Sequence, residues 1–316
     1  MGGGGSYYDR DVHDGYARSS RGTSDAAEQE MSRQSVDRGL LPEKRQLVCE
    51  AESPVVYAFD VTGSMGNLPV IIYDKMPMMV GQISEHGYLQ DPKMSLAAVG
   101  DIQCDLAPIQ IGDFAELRRL DDWLKRIWLE GGGGGQDVES YEFTAYFHAR
   151  YLDISKAKKP FFLFTGDEGF RDMLYASDLA RHFGGEHQDI EADAVFAELR
   201  RKFLDNVFLI HRRYSKDHLD PRIVCQWKRV LGENHVIILG SDQSIADVTL
   251  GLFAIVTGAR TLKEYLRDLK TARDKPQSDE RVREVERSLS PIAEARLVSR
   301  PDEAPTSETP QPIKWL

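Results

Sequence analysis

The chain of 316 residues is poor in cysteine: Cys49, Cys104 and Cys225 are odd in number and widely spaced, which suggests neither a disulfide framework nor a zinc knuckle. Long apolar runs are missing as well. The longest, Ile245 to Val256, is interrupted by Asp247, Thr249 and Gly251 and is too short to span a bilayer. The first forty residues lack the apolar stretch of a secretory signal. Gly2 sits in a poor context for myristoylation, with Gly5-Ser6 and no polybasic segment after it. These absences set the expectation of a reducing cytoplasm and no membrane partner. Positive charge is also short, with 40 Lys and Arg against 51 Asp and Glu and a formal net charge of −11. A general nucleic-acid binder needs the opposite balance to neutralise phosphates, so no nucleic-acid partner is expected. The balance suits a protein that binds cations.

What is present is enough apolar content, 41%, to build one sizeable core, unevenly spread. Residues 1–52 are rich in Gly, Ser, Asp and Arg without apolar periodicity and are expected to form a disordered arm. Residues 273–316 carry six prolines among many charges and read as a largely disordered tail, with one short helix over 278–289. The domain is expected over 53–272. Inside it, short apolar strands alternate with amphipathic segments. Val55 to Phe59, Met94 to Val99, Pro160 to Thr165, Asn206 to His211 and His235 to Leu239 read as strands, and Ala107 to Ile111 as an antiparallel edge. Helices are expected from near Gly66, from Asp113, and near 138–151, 190–203, 221–231 and 244–257, the last stopped by Gly258. This rhythm predicts an α/β fold, a doubly wound, mostly parallel sheet with helices on both faces.

In such sheets ligands lie beyond the carboxyl ends of the strands. Several strands here end in a carboxylate: Asp60, Asp101, Asp167 and, slightly later, Asp242. Asp60 opens Asp60-Val61-Thr62-Gly63-Ser64-Met65-Gly66, where alternate residues can aim one carboxylate and two hydroxyls at a common point. That oxygen set suits magnesium or manganese. Taken alone, the same residue types read as a helix cap. Phe161 to Asp167 delivers a second aspartate to the same edge. Between the two lies Glu130, then five glycines, Gly131 to Gly135, then Gln136-Asp137-Val138-Glu139-Ser140. Such a loop can approach a ligand closely.

Together these segments resemble the metal-ion-dependent adhesion site of von Willebrand A domains, over roughly 54–257 and in particular an intracellular bacterial branch. The resemblance implies that Asp60, Thr62, Ser64 and Asp167 hold Mg2+ or Mn2+, with Gln136, Asp137 or Glu139 in the place of the family's middle-loop threonine. It further implies an adaptor or assembly factor without catalytic residues. Its metal would be completed by an Asp or Glu of a protein partner, an AAA+ ATPase among the partner classes. The later motif departs from the family's Thr-Asp-Gly, reading Gly166-Asp167-Glu168-Gly169.

A different class competes. Haloacid-dehalogenase-type phosphatases use a strand-end Asp nucleophile and a later G-D-x(3–4)-D, which Gly166 to Asp172 matches with Asp60 as nucleophile. The general acid expected two residues after the nucleophile is replaced by Thr62, which leaves no proton donor for the leaving group. Lys158 and Lys159 are the nearest lysines before Asp167. His182 and His187 with Asp189 and Glu191 read as a surface loop rather than a zinc site. Met76, Met78 and Met79 read as core filling, and Cys104 as structural.

Overall fold

The computed structural model describes residues 36–116, 119–128, 137–214, 218–271 and 276–299. Its strands are β1 (Leu47–Val48), β2 (Ser53–Asp60), β3 (Pro92–Val99), β4 (Ile109–Ile111), β5 (Ala115–Glu116), β6 (Leu152–Asp153), β7 (Phe161–Gly166), β8 (Met173–Leu174), β9 (Ile190–Glu191), β10 (Val207–His211) and β11 (Val236–Ile238). Its helices are α1 (Leu68–His86), α2 (Leu120–Leu124), α3 (Tyr141–Arg150), α4 (Ala176–Phe183), α5 (Ala192–Lys202), α6 (Asp220–Leu231), α7 (Ile245–Thr257), α8 (Leu262–Thr271) and α9 (Asp279–Ser299).

The main sheet has seven strands in the order β11-β10-β7-β2-β3-β4, with β5 also pairing β3. Every residue of β2 and β7 is buried, because both strands lie inside the sheet and both faces are covered. Val55, Tyr57 and Phe59 point into one core with α1, α7, α8 and α9, whose Met76 and Met79 fill it as expected. Val56, Ala58, Phe162 and Phe164 point into the other, packed by Phe147, Phe196 and Trp227 of α3, α5 and α6. The second core is aromatic, with Trp227 at 5.1–5.5 Å from Tyr141, Phe164 and Phe196. No helix of the described residues is long and apolar enough to cross a membrane.

The expectation of a doubly wound, mostly parallel sheet of von Willebrand A type is corrected to a mixed arrangement. β4 and β5 both run antiparallel to β3, and two small sheets stand apart: parallel β1–β6 and antiparallel β8–β9. The physical reason is the connection over 100–108. It carries no helix and folds on itself through Asp101 and Asp105, whereas a parallel neighbour needs a crossover of about a dozen residues or more.

Two further expectations change. Asp113 does not cap a helix. Its carboxylate accepts from Arg45 Nη2 at 2.6 Å, β5 follows it, and α2 begins only at Leu120. Pairing of β5 with the Lys93–Met94 stretch of β3 takes the backbone that a longer helix would have used. The tails are also shorter than expected. Leu40 is fully buried, Asp37 pairs with Arg126, and β1 pairs with β6. Residues 279–299 form α9, whose Val282, Val285 and Leu289 recur at helical spacing and join the core, with Pro291 inside the helix. The remaining parts of both expected tails, 1–35, 273–275 and 300–316, lie outside the described residues.

Candidate functional site

The parallel register of β2 with β7, Phe59 opposite Thr165, brings Asp60 and Asp167 out at one edge of the sheet. Both aspartates are fully buried. Gly166 lets this happen: a Cβ there would run into the hydroxyl of Tyr141. That hydroxyl donates to Asp60 Oδ2 at 2.8 Å, while Thr62 donates to Asp60 Oδ1 from both its backbone N (2.8 Å) and Oγ1 (2.6 Å). Thr62 Oγ1 lies 3.3 Å from Ser64 Oγ, which donates to Asp167 Oδ1 at 2.9 Å. The four strand-end residues singled out from the sequence therefore form one connected set. Neither Thr62 nor Ser64 caps the helix that follows; their hydroxyls turn inward.

A bridge between Val138 and Gly169, with Glu139 N donating to Gly169 O at 2.9 Å, draws the middle loop alongside. It buries Glu139, and Glu168 on the opposing segment is buried too. Asp137 is not part of the site, because its carboxylate pairs with Arg222 of α6. Gln136 and the glycine run lie outside the described residues. Three carboxylate oxygens, Asp167 Oδ2, Glu139 Oε2 and Glu168 Oε2, are buried without a hydrogen-bond partner.

This crowding shapes the charge states. Burial pushes Asp60 up to about 6 despite its three hydrogen bonds. Burial, then the charge of Asp60, pushes Asp167 up to about 7 and Glu168 up to about 8. Glu139 is driven up further by burial and by Asp60 and Glu168 together. Four neighbouring buried carboxyl groups thus oppose one another's ionisation. Among the described residues only Arg212 reaches them in a salt bridge, with Nη1 3.5 Å from Asp167 Oδ2. Glu168, Tyr141 and Arg212 were not anticipated. Glu168, next to Asp167 in a strand-end motif, was the one detectable signal.

The other candidates separate from this edge. Asp172 is exposed and pairs with Arg229; Lys158 pairs with Glu52, and Lys159 Nζ donates to Thr257 O at the opposite end of β7. Asp172 and the two lysines of the phosphatase reading are thus engaged with partners other than Asp60 and Asp167. His187 uses both ring nitrogens, toward Tyr146 Oη and Gly184 O, and so is not free to bind zinc. Cys104 is exposed rather than structural.

No family model matches the chain, and no curated protein matches it. Solved structures similar to it include the pilus adhesin SpaC of Lactobacillus rhamnosus GG in its open conformation, at 10% identity and a TM-score of 0.45, over 70% of this chain and 33% of that one. The proximal thread matrix protein PTMP1 of the mussel byssus is similar at 9% and 0.41, over 65% and 48%. A mutant of the minor pilin PilB of Streptococcus sanguinis is similar at 14% and 0.39, over 66% and 61%. The chain thus spans about a third of the length of SpaC, and likenesses at these scores assign neither family nor function. The membership in the von Willebrand A family expected from the motifs is corrected accordingly: no family model supports it. The assignment of a metal-ion-dependent adhesion site is corrected with it: among the described residues no three His, Cys, Asp or Glu side chains are gathered to hold a metal, so a cation beside Asp60 and Asp167 would have to use the hydroxyls of Thr62 and Ser64. What stands is the geometry itself, two aspartates and two hydroxyls in contact, flanked by two buried glutamates.

Proposed function

We propose that this chain is a binding module in which Asp60, Thr62, Ser64 and Asp167 take a divalent cation, Mg2+ or Mn2+, and through it an acidic side chain of a protein partner. The observation that carries the reading is the trio of buried carboxylate oxygens that accept no hydrogen bond, beside two inward-turned hydroxyls. The donor set is all oxygen, the chemistry that hard cations prefer over zinc or copper. When bound, such an ion supplies a compact positive charge that relieves the crowding and attracts an external acid. The protein's own contribution is to orient and to dry the site. Thr62 and Tyr141 fix Asp60, Ser64 fixes Asp167, and the bridge at Val138–Gly169 closes one side. Three free cysteines and the acidic net charge are consistent with an adaptor working in a reducing compartment.

The test is thermal. Added Mg2+ or Mn2+ should raise the melting temperature of the wild type in a concentration-dependent way. Asp60→Ala plus Asp167→Ala should abolish that rise. An equal rise in both proteins would refute the assignment of the site.

A further inference from the structure

We propose that Arg212 is the specificity-determining residue of this site, the anchor that grips the partner's carboxylate beside the cation. The inference rests on the binding reading above. Arg212 directly follows β10, and its backbone N donates to Gly166 O at 2.9 Å, so its position is set by the same strand end that presents Asp167. Its guanidinium spans three loops at the edge: Nη1 donates to Ser64 O at 2.8 Å, Nε donates to Asp242 Oδ1 at 3.0 Å, and Nη1 stands 3.5 Å from Asp167 Oδ2. Nη2 makes no hydrogen bond among the described residues, and the side chain is 26% exposed. One edge of the planar fork is thus fastened and the remaining N–H groups are left for a ligand.

Charge counting gives this placement its meaning. Two ionised aspartates cancel a divalent cation, and the hydroxyls of Thr62 and Ser64 add nothing. Such a centre still attracts an external acid, but more weakly than an unneutralised divalent ion would. Arg212 brings a guanidinium to the rim whose charge Asp242 shares through Nε, and its free Nη2 offers a carboxylate directed N–H donors that the cation and its hydroxyl ligands do not supply. The same positive charge disfavours the cation when no acid is present. Arg212 therefore couples the two ligands, making an acidic group and the cation bind better together than apart.

The experiment titrates Mn2+ into the full chain, with and without acetate as the carboxylate probe. In the wild type acetate should tighten Mn2+ binding by about fivefold or more, a typical coupling between two ligands. In Arg212→Gln, Mn2+ alone should bind at least as tightly as in the wild type, while the acetate effect disappears. Arg212→Lys, which keeps the charge but loses the fork, should keep only part of it, and carries the comparison if the Gln variant melts early. An acetate effect of equal size in Arg212→Gln would overturn the proposal, as would its absence in a wild type that binds Mn2+. If Mn2+ binds neither protein, the binding reading itself fails and this inference with it.

Discussion

Two acidic sites share the same edge of the sheet and are solved in opposite ways. At the end of β3, Asp101 is buried and receives Arg171 Nη2 at 2.7 Å, with that guanidinium also reaching Ser140 Oγ at 3.3 Å. At the ends of β2 and β7, four carboxyl groups share one salt bridge, made at 3.5 Å by a guanidinium that Ser64 and Asp242 already hold. The first is a closed ion pair with its hydrogen bonds in place, the arrangement that keeps buried charge tolerable. The second is left short of positive charge and keeps three oxygens without a hydrogen bond. A fold that only needed stability would have repeated the first solution. In the proposed reading this shortfall is what a bound cation relieves.

That contrast can be broken from either side. The largest effect is expected at the closed pair. Arg171→Ala strands a buried Asp101 and should cost about 3–5 kcal/mol in a denaturant titration, the usual consequence of removing one partner of a buried pair. A loss under about 1 kcal/mol would mean that Asp101 was never dependent on it. At the open site the sign should reverse. Glu168→Gln removes an acid that burial holds up near 8, and should stabilise the cation-free protein by about 1–3 kcal/mol at about pH 8. No gain there would show that the cluster is not under strain.

The pH profile sharpens the same point. Unfolded carboxyl groups titrate near about 4, whereas in the folded chain Asp60, Asp167 and Glu168 are raised to about 6, about 7 and about 8. Below the unfolded values both states are protonated and the cluster is neutral in its effect. As pH climbs from there to about 8, the unfolded chain has already released its protons while the folded one must give them up against burial. Stability of the cation-free protein should therefore fall across that window, and Asp60→Asn plus Asp167→Asn should flatten the fall. The smallest effect is expected at Cys104, exposed on the Asp101–Asp105 loop: Cys104→Ser should change stability by no more than about 0.5 kcal/mol.

Much of this edge was legible before the structure. Phe161 to Phe164 and Val55 to Phe59 are continuous apolar runs ending in carboxylates, so strand identity and the nearness of Asp60 and Asp167 follow from pattern alone. The spacing of Thr62 and Ser64 was equally readable. Long-range contacts were not. Arg212 meets Ser64 across 148 positions of the chain, and only the parallel order of β2, β7 and β10 brings them together. Asp137 and Glu139 are two residues apart and were equivalent in the sequence. The bridge to Gly169 buries one and leaves the other to Arg222. The antiparallel β5 and the burial of α9 were missed for related reasons. A two-residue strand carries no periodicity, and the prolines and charges of 273–316 masked the apolar stripe of Val282, Val285 and Leu289.

The most direct test of the central claim is proton release on cation binding. Mn2+ is titrated calorimetrically into the protein at about pH 6.5 in two buffers of different ionisation enthalpy, so that the heats report protons leaving the protein. Acids held protonated by burial must give up protons to become ligands, and at least about one proton per ion should appear in the wild type. Asp60→Asn plus Asp167→Asn should show neither binding nor release. Binding without proton release, or binding that survives the double substitution, would contradict the account.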